Sequence, residues 1–332
     1  MPSRFSRTCA ALLAVLALAA CKDSNAPRDP LGIRSVIVTP RVDSIALRDR
    51  GELTLALVPV DGRGEAIISD TLTIRPALSG APLPVLSTTP SNPGTLGVSA
   101  AVLLDNSGSM RDNDPDDLRL EAAQLFFEQF LSLDGRNQGA LLSFSGLSTT
   151  PGFTTTRLHQ TWTSSSASLA AALTTTDEGG TSRLYGSAAE TIRWMDSTRA
   201  ENVRRVLLVF TDALPTDTTI SERLFSAAAD AGVVVHAVGV GPASDLSSNT
   251  SPEAVARLRA IANETGGLYA GAPSAEGLAP VFSALGTSVG KGELLVTVKL
   301  DPAPARGTVL RGYVDVSNPA GGARGNWEVT AP

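Results

Sequence analysis

The chain is poor in cysteine, histidine and aromatic residues, and it has no block of basic residues. Two of its 332 residues are cysteine and two are histidine, and aromatic residues make up 5%. Any core therefore consists mainly of Ala, Val and Leu. The formal net charge of −6, without clustered Lys and Arg, argues against a nucleic-acid partner. The 42% hydrophobic and 18% charged content is typical of a globular protein, and the length favours two domains.

The N-terminal apolar run, Ala10 to Ala20, is too short to span a bilayer and follows two positive residues, Arg4 and Arg7. The run ends in Leu18-Ala19-Ala20-Cys21, which resembles the lipobox of bacterial lipoproteins. This resemblance implies that residues 1–21 comprise a signal peptide and the lipobox cysteine, and that lipid on Cys21 anchors the protein to a membrane. The alternative interpretation is an ordinary secretory signal that is cut nearby.

Lys22 follows the lipobox cysteine at the position where Asp would be expected for retention in the inner membrane of a Gram-negative bacterium. An exported, lipid-anchored envelope protein, with the outer membrane favoured, is therefore expected. Cys9 would leave with the signal and Cys21 would carry lipid, so no disulfide is expected. Residues 22–30 are polar and contain proline, which predicts a tether.

Residues 31–95 and 291–332 have β-type patterns. Short strands are predicted at Ile33–Thr39, Ser44–Leu47, Glu52–Val60, Thr71–Ile74, Glu293–Leu300, Thr308–Val316 and Trp327–Thr330. Short strands with turns between them favour a β-sandwich, and residues 31–95 resemble bacterial immunoglobulin-like modules. The C-terminal segment either completes that sandwich, with the central domain inserted between its halves, or forms a separate unit.

Residues 96–290 alternate between strands and helices. Strands are predicted at Val98–Leu104, Gly139–Phe144, Val203–Phe210 and Val233–Val240, and helices at Pro115–Leu131, Leu184–Met195, Ser221–Ala231, Pro252–Glu264 and Leu278–Val289. Because the strands are almost continuously apolar, they belong in a mostly parallel sheet covered on both faces. Right-handed crossovers then give a doubly wound α/β fold. The polar run Phe153–Thr163 is predicted to lie at a sheet edge.

Three loops of this domain supply oxygen atoms at predicted strand or helix ends. They are Asp105-Asn106-Ser107-Gly108-Ser109, the run from Gly179 to Tyr185, and Phe210-Thr211-Asp212. In doubly wound sheets, ligands gather at the carboxyl ends of the strands. Carboxylates and hydroxyls are hard oxygen ligands, which suit Mg²⁺ or Mn²⁺.

In their order and spacing, these loops resemble the metal-ion-dependent adhesion site of the von Willebrand factor type A family, written Asp-x-Ser-x-Ser, then Thr, then Asp. The resemblance covers about Val98 to Val289 and implies a Rossmann-like fold with Mg²⁺ (or Mn²⁺) as cofactor. The implied metal ligands are Asp105, Ser107, Ser109, Thr181 and Asp212. One extra residue separates Thr181 from Leu184, so Ser182 is the alternative ligand at that position. The resemblance also implies a protein partner whose Asp or Glu carboxylate completes the coordination.

The expected function is therefore binding. The first hypothesis is a cell-envelope lipoprotein that holds a protein partner through the metal, and the alternative is a structural envelope module in which the metal only stabilises the loops. An enzyme is not expected, because no general base lies beside the loops and no Ser-His-Asp order is present. Neither a nucleic acid nor a small-molecule substrate is expected. The acidic residues Asp112, Asp114, Asp116 and Asp117 are interpreted as a helix start. The alternative is a second metal loop, and the absence of a Glu at the EF-hand position argues against it.

Overall fold

The computed structural model describes residues 32–332 apart from 63, 70, 92–96, 147, 149, 175–178, 199–202 and 273–276. The predicted signal peptide, Cys21 and the tether lie outside the described residues. Within the described part of the chain, no helix is both long enough and apolar enough to cross a membrane.

The described elements follow one another along the chain as β strands, then alternating strands and helices, then β strands again. The strands are β1 (Ile33–Arg41), β2 (Glu52–Asp61), β3 (Thr73–Leu78), β4 (Ala81–Pro82), β5 (Val85–Pro90), β6 (Val98–Asp105), β7 (Gln138–Phe144), β8 (Thr156–Thr163), β9 (Arg204–Thr211), β10 (Val233–Gly239), β11 (Tyr269–Gly271), β12 (Leu294–Lys299), β13 (Val309–Asn318) and β14 (Gly321–Thr330). The α-helices are α1 (Met110–Asn113), α2 (Leu118–Leu133), α3 (Ser166–Ala172), α4 (Leu184–Thr198), α5 (Ser221–Ala231), α6 (Pro252–Thr265) and α7 (Leu278–Lys291).

The central sheet has the strand order β11-β10-β9-β6-β7-β8. Its strand pairs are parallel except that β8 runs antiparallel to β7 at the edge. Alternate side chains of β6 point to opposite faces of the central sheet. Val102 and Leu104 pack with α2 and α7, whereas Ala101 and Leu103 pack with α4, α5 and α6. The predicted doubly wound, mostly parallel α/β fold and the polar edge strand are confirmed.

Two further four-stranded sheets, β1-β2-β12-β5 and β14-β13-β3-β4, flank this domain. β12 pairs antiparallel with β2 and β5, and β13 pairs antiparallel with β3. Strands from before and after the α/β domain therefore share both sheets. Side chains from the two sheets, among them Leu55, Val296 and Trp327, form one apolar core.

The first strand of the sandwich also contacts the edge of the central sheet. The Thr39 hydroxyl accepts a hydrogen bond of 2.9 Å from the Tyr269 backbone N–H. Arg41 donates to the Gly267 carbonyl and forms an ion pair of 2.9 Å with Glu293. These contacts cover the edge strand β11 and fix the sandwich against the α/β domain.

The predicted strand Ser44–Leu47 is wrong, because the chain forms a short π-helical turn at Ala46–Arg50. The Asp43 carboxylate accepts hydrogen bonds from the Ile45 and Ala46 N–H groups, at 2.9 and 3.0 Å, and so begins the turn. Gly51, at φ 61°, ends it in a left-handed conformation.

Helix α2 begins three residues later than the predicted Pro115. Asp114 still caps it, since its carboxylate accepts from the Leu118 N–H at 2.8 Å and the Arg119 N–H at 3.2 Å. Asp117, at φ 54°, turns the intervening residues out of the helix. The interpretation of this acidic run as a helix start agrees with these contacts.

Arg119 is a fully buried cation at the base of α2. Its guanidinium lies 2.8 Å from both Asp114 and Asp117. It also donates to the Asn106 side-chain carbonyl at 3.2 Å, which links the helix to the loop after β6.

Candidate functional site

Asp105 is the last residue of β6 and its side chain is completely buried. One carboxylate oxygen accepts from the Ser107 N–H at 2.8 Å. The other accepts from the Thr211 hydroxyl at 2.6 Å and the Ser182 hydroxyl at 3.3 Å. The hydroxyl oxygens of Ser107 and Ser109 lie 3.3 Å apart. The structure thus brings oxygen groups from all three predicted loops around one carboxylate.

The second loop lies directly against the first. The Gly108 N–H donates to the Gly180 carbonyl at 3.4 Å, and the Gly179 N–H donates to the Asn106 carbonyl at 3.1 Å. Gly180 has φ 77°, and a Cβ there would lie 2.7 Å from the backbone nitrogen of Gly146. Only glycine therefore suits position 180.

The two candidate ligands of the second loop have different surroundings. Ser182 is buried, and its hydroxyl donates to Asp105. Thr181 is exposed. The backbone N–H of Thr216 donates to the Ser182 carbonyl at 2.8 Å, so the chain beyond the third loop holds this position as well.

Asp212 follows β9 and is also completely buried. Its Oδ2 accepts from the Asn113 side-chain amide at 3.0 Å, and the same amide donates to the Ser109 carbonyl at 3.3 Å. Asp212 therefore lies beside the Asp-x-Ser-x-Ser loop. Ala213, at φ 51°, turns the chain sharply after it.

Two buried carboxylates close together are electrostatically unfavourable. Burial, and after it the nearby charge of Asp212, raises the pKa of Asp105 to about 6, although hydrogen bonds from Thr211 and Ser107 act in the opposite direction. Among the described residues, neither carboxylate forms an ion pair with a Lys, Arg or His side chain. A cation between them would remove this penalty.

The oxygen donors fit a hard divalent cation better than a soft one. No group of three or more His, Cys, Asp or Glu side chains suited to a metal occurs in the described part of the chain. A cation at this site would therefore depend on hydroxyl groups in addition to the two carboxylates. Mg²⁺ prefers about six oxygen ligands, which leaves positions for water or for an external carboxylate.

The contact between Asn113 and Asp212 could not be predicted from the sequence. Asn113 lies 99 residues before Asp212. Its local pattern, an acidic run before a helix, gives no indication of such a distant partner. Thr211 belongs to the third predicted loop, but nothing in the sequence indicates that its hydroxyl donates a hydrogen bond to Asp105.

The fold and this arrangement of loops define a doubly wound α/β domain with an oxygen-rich site at the carboxyl ends of β6 and β9. Residues 100–214 match the family model of the von Willebrand factor type A domain. The chain therefore contains a von Willebrand factor type A domain, as its motifs predict.

Solved structures with a similar fold come from several bacteria. An aerotolerance-related membrane protein from Bacteroides fragilis, carrying multiple mutations to serines, is 20% identical, with 59% of this chain and 100% of that chain covered and a TM-score of 0.43. BatB from Bacteroides thetaiotaomicron is 21% identical, with 57% and 97% covered and a TM-score of 0.40. A von Willebrand factor type A protein from Catenulispora acidiphila is 12% identical, with 92% and 75% covered and a TM-score of 0.44. No curated protein sequence matches the chain.

Proposed function

We propose that this protein is a cell-envelope lipoprotein that binds a protein partner through a divalent cation, Mg²⁺ or Mn²⁺, at a metal-ion-dependent adhesion site. The observation that supports it most is the pair of buried carboxylates, Asp105 and Asp212, which have no cationic partner among the described residues. The Ser182 hydroxyl of the second loop donates to Asp105, and the hydroxyls of Ser107 and Ser109 lie 3.3 Å apart on the loop that follows it, so these groups suit the same ion.

In this proposal Asp105, Ser107, Ser109 and Asp212 hold the cation together with one hydroxyl of the second loop. The burial of Ser182 and its hydrogen bond to Asp105 support Ser182 for that role over the exposed Thr181. When bound, the cation supplies an electrophilic centre that a carboxylate can occupy. With two protein carboxylates in the site, an Asp or Glu of the partner is the fitting external ligand. The role assigned to the site is binding, with no catalytic residue.

The proposed anchor is lipid on Cys21, and Lys22 favours the outer membrane. Mass spectrometry of the mature N-terminus tests this part separately. A diacylated or triacylated Cys21 is the expected result, and an unmodified N-terminus elsewhere in this region contradicts it.

The binding role is tested by crosslinking envelope proteins to the full-length chain in Mg²⁺ and in EDTA. The proposal expects a partner that is captured in Mg²⁺, lost in EDTA and lost with the Asp105→Ala variant. Asp230→Ala is the matched control, because Asp230 is an exposed carboxylate on α5. A partner that is captured equally well in Mg²⁺ and in EDTA contradicts the proposal. EDTA-dependent thermal stability with no partner supports the structural alternative instead.

A further inference from the structure

Asn113 is the last residue of the short helix α1 and lies between the first and third loops of the site. Its side-chain amide donates to the Ser109 carbonyl at 3.3 Å and to Asp212 Oδ2 at 3.0 Å. Its backbone N–H donates to the same Ser109 carbonyl at 3.2 Å. One side chain thus connects the Asp-x-Ser-x-Ser loop with the distant carboxylate.

Gly241 lies close to the oxygen atom of the Asn113 side-chain amide. It has φ 55°, and a Cβ built on it would lie 2.5 Å from the Asn113 Oδ1 atom. Both the left-handed conformation and this close approach require glycine. The amide is therefore held between Gly241 on one side and Asp212 on the other.

An uncharged amide is suited to the position beside Asp212. It donates a hydrogen bond to Asp212 but carries no charge, so it orients the carboxylate without neutralising it. A Lys or Arg here would pair with Asp212 and compete with a bound cation. Outer hydrogen-bond partners of this kind orient metal-binding carboxylates, and their loss typically weakens metal affinity ten- to a hundredfold.

We propose that Asn113 is a positioning residue, which holds Asp212 in the orientation required for the cation, and that Gly241 provides the space in which Asn113 does so. This inference rests on the proposed function, because it assigns Asp212 as a metal ligand. It adds a residue that binds neither the cation nor the partner.

The test is calorimetric titration of the full-length protein with Mg²⁺, combined with thermal unfolding in EDTA. Asn113→Ala is expected to weaken Mg²⁺ binding about ten- to a hundredfold. Its unfolding temperature in EDTA should fall by only a few degrees, because the loss is limited to the hydrogen bonds of one partly buried side chain. The control Asn249→Ala, an exposed asparagine, should bind as the wild type does.

A double-mutant cycle separates positioning from a general structural effect. Gly241→Ala alone should also weaken binding, because its methyl group displaces the Asn113 amide. In the Asn113→Ala background it should weaken binding less than it does in the wild type, since the amide oxygen is gone and only the strain of the left-handed backbone remains.

The possible results are distinguishable. If the wild type binds Mg²⁺ and Asn113→Ala binds it equally well, the inference is wrong while the proposed function stands. If the effects of the two substitutions are additive, or if Asn113→Ala is already partly unfolded in EDTA at the temperature of the titration, Asn113 is a structural residue and the inference is also wrong. If the wild type does not bind Mg²⁺, the proposed function fails and the inference fails with it.

Discussion

Replacing Asp105 with Asn should stabilise the metal-free protein at pH 7. Burial, and then the charge of Asp212, raises the pKa of Asp105 from 3.8 to about 6 in the folded state. The ionised carboxylate therefore opposes folding, by an amount that grows from the unfolded-state pKa of 3.8 to about pH 6 and is fully present above it. The difference between these two pKa values corresponds to about 3 kcal/mol of folding free energy.

The amide does not recover all of this energy. Asp105 accepts hydrogen bonds from the Ser107 N–H, the Thr211 hydroxyl and the Ser182 hydroxyl. An asparagine has one acceptor oxygen, so at least one of these bonds is lost, at a cost of about 1 kcal/mol. The expected net gain for Asp105→Asn is about 2 kcal/mol at pH 7.

The stability gained by Asp105→Asn should depend on pH. At pH 4 the folded wild-type protein has Asp105 mostly protonated, because its pKa there is about 6. The penalty is then small, so Asp105→Asn should lose its advantage between pH 6 and pH 4. Urea unfolding in EDTA at both pH values measures this, with Asp230→Asn as the control for an exposed carboxylate.

The addition of Mg²⁺ completes the experiment. It should stabilise the wild type at pH 7 and leave Asp105→Asn unchanged. A variant that is less stable than the wild type in EDTA at pH 7, or one that still responds to Mg²⁺, would refute the electrostatic reasoning.

Other substitutions test the support of the site and the core. Arg119→Met should cost about 3–5 kcal/mol in urea unfolding, because it leaves the buried Asp114 carboxylate without its cation, and adding Asp114→Asn should restore part of this. Burial lowers the pKa of His236 to about 3, so stability should fall by about 3 kcal/mol as the pH drops from 6.5 to 4, and His236→Asn should remove that slope in pH-dependent unfolding. Gly180→Ala should cost at least about 1 kcal/mol in thermal unfolding and weaken Mg²⁺ binding in calorimetry, because its Cβ meets Gly146.

The α/β domain could be predicted from the sequence because its strands are buried on both faces. β6 was predicted at Val98–Leu104 and runs one residue further, to Asp105. Helix α5 matches its predicted bounds, Ser221–Ala231, because Gly232 at φ 59° stops it. Continuous apolar strands and glycine C-caps are local signals that do not depend on distant contacts.

Elements that depend on tertiary contacts were not predicted. No strand is predicted around β5 (Val85–Pro90), which is rich in Ser, Thr and Pro, yet the strand forms by pairing with β12 from the other end of the chain. Helix α3 was missed because Ser166 and its neighbours have a polar, small-residue pattern. Ser165 nevertheless caps it by accepting from the Ser168 N–H at 3.1 Å.

The candidate site was predictable in its motif but not in its connections. Asp105, Ser107 and Ser109 are recognisable because one tight loop contains them, and Asp212 because it ends a buried strand. The choice between Thr181 and Ser182 depends on which side chain turns inward, and one extra residue in the loop hides that from the sequence.

Anomalous diffraction from crystals of the protein grown with Mn²⁺ tests directly whether a divalent cation binds at this site. We expect a single strong peak within coordination distance of oxygen atoms of Asp105, Ser107 and Ser109, with Asp212 beside it. Crystals that show no peak among these side chains at millimolar Mn²⁺, or a peak elsewhere only, would contradict this expectation.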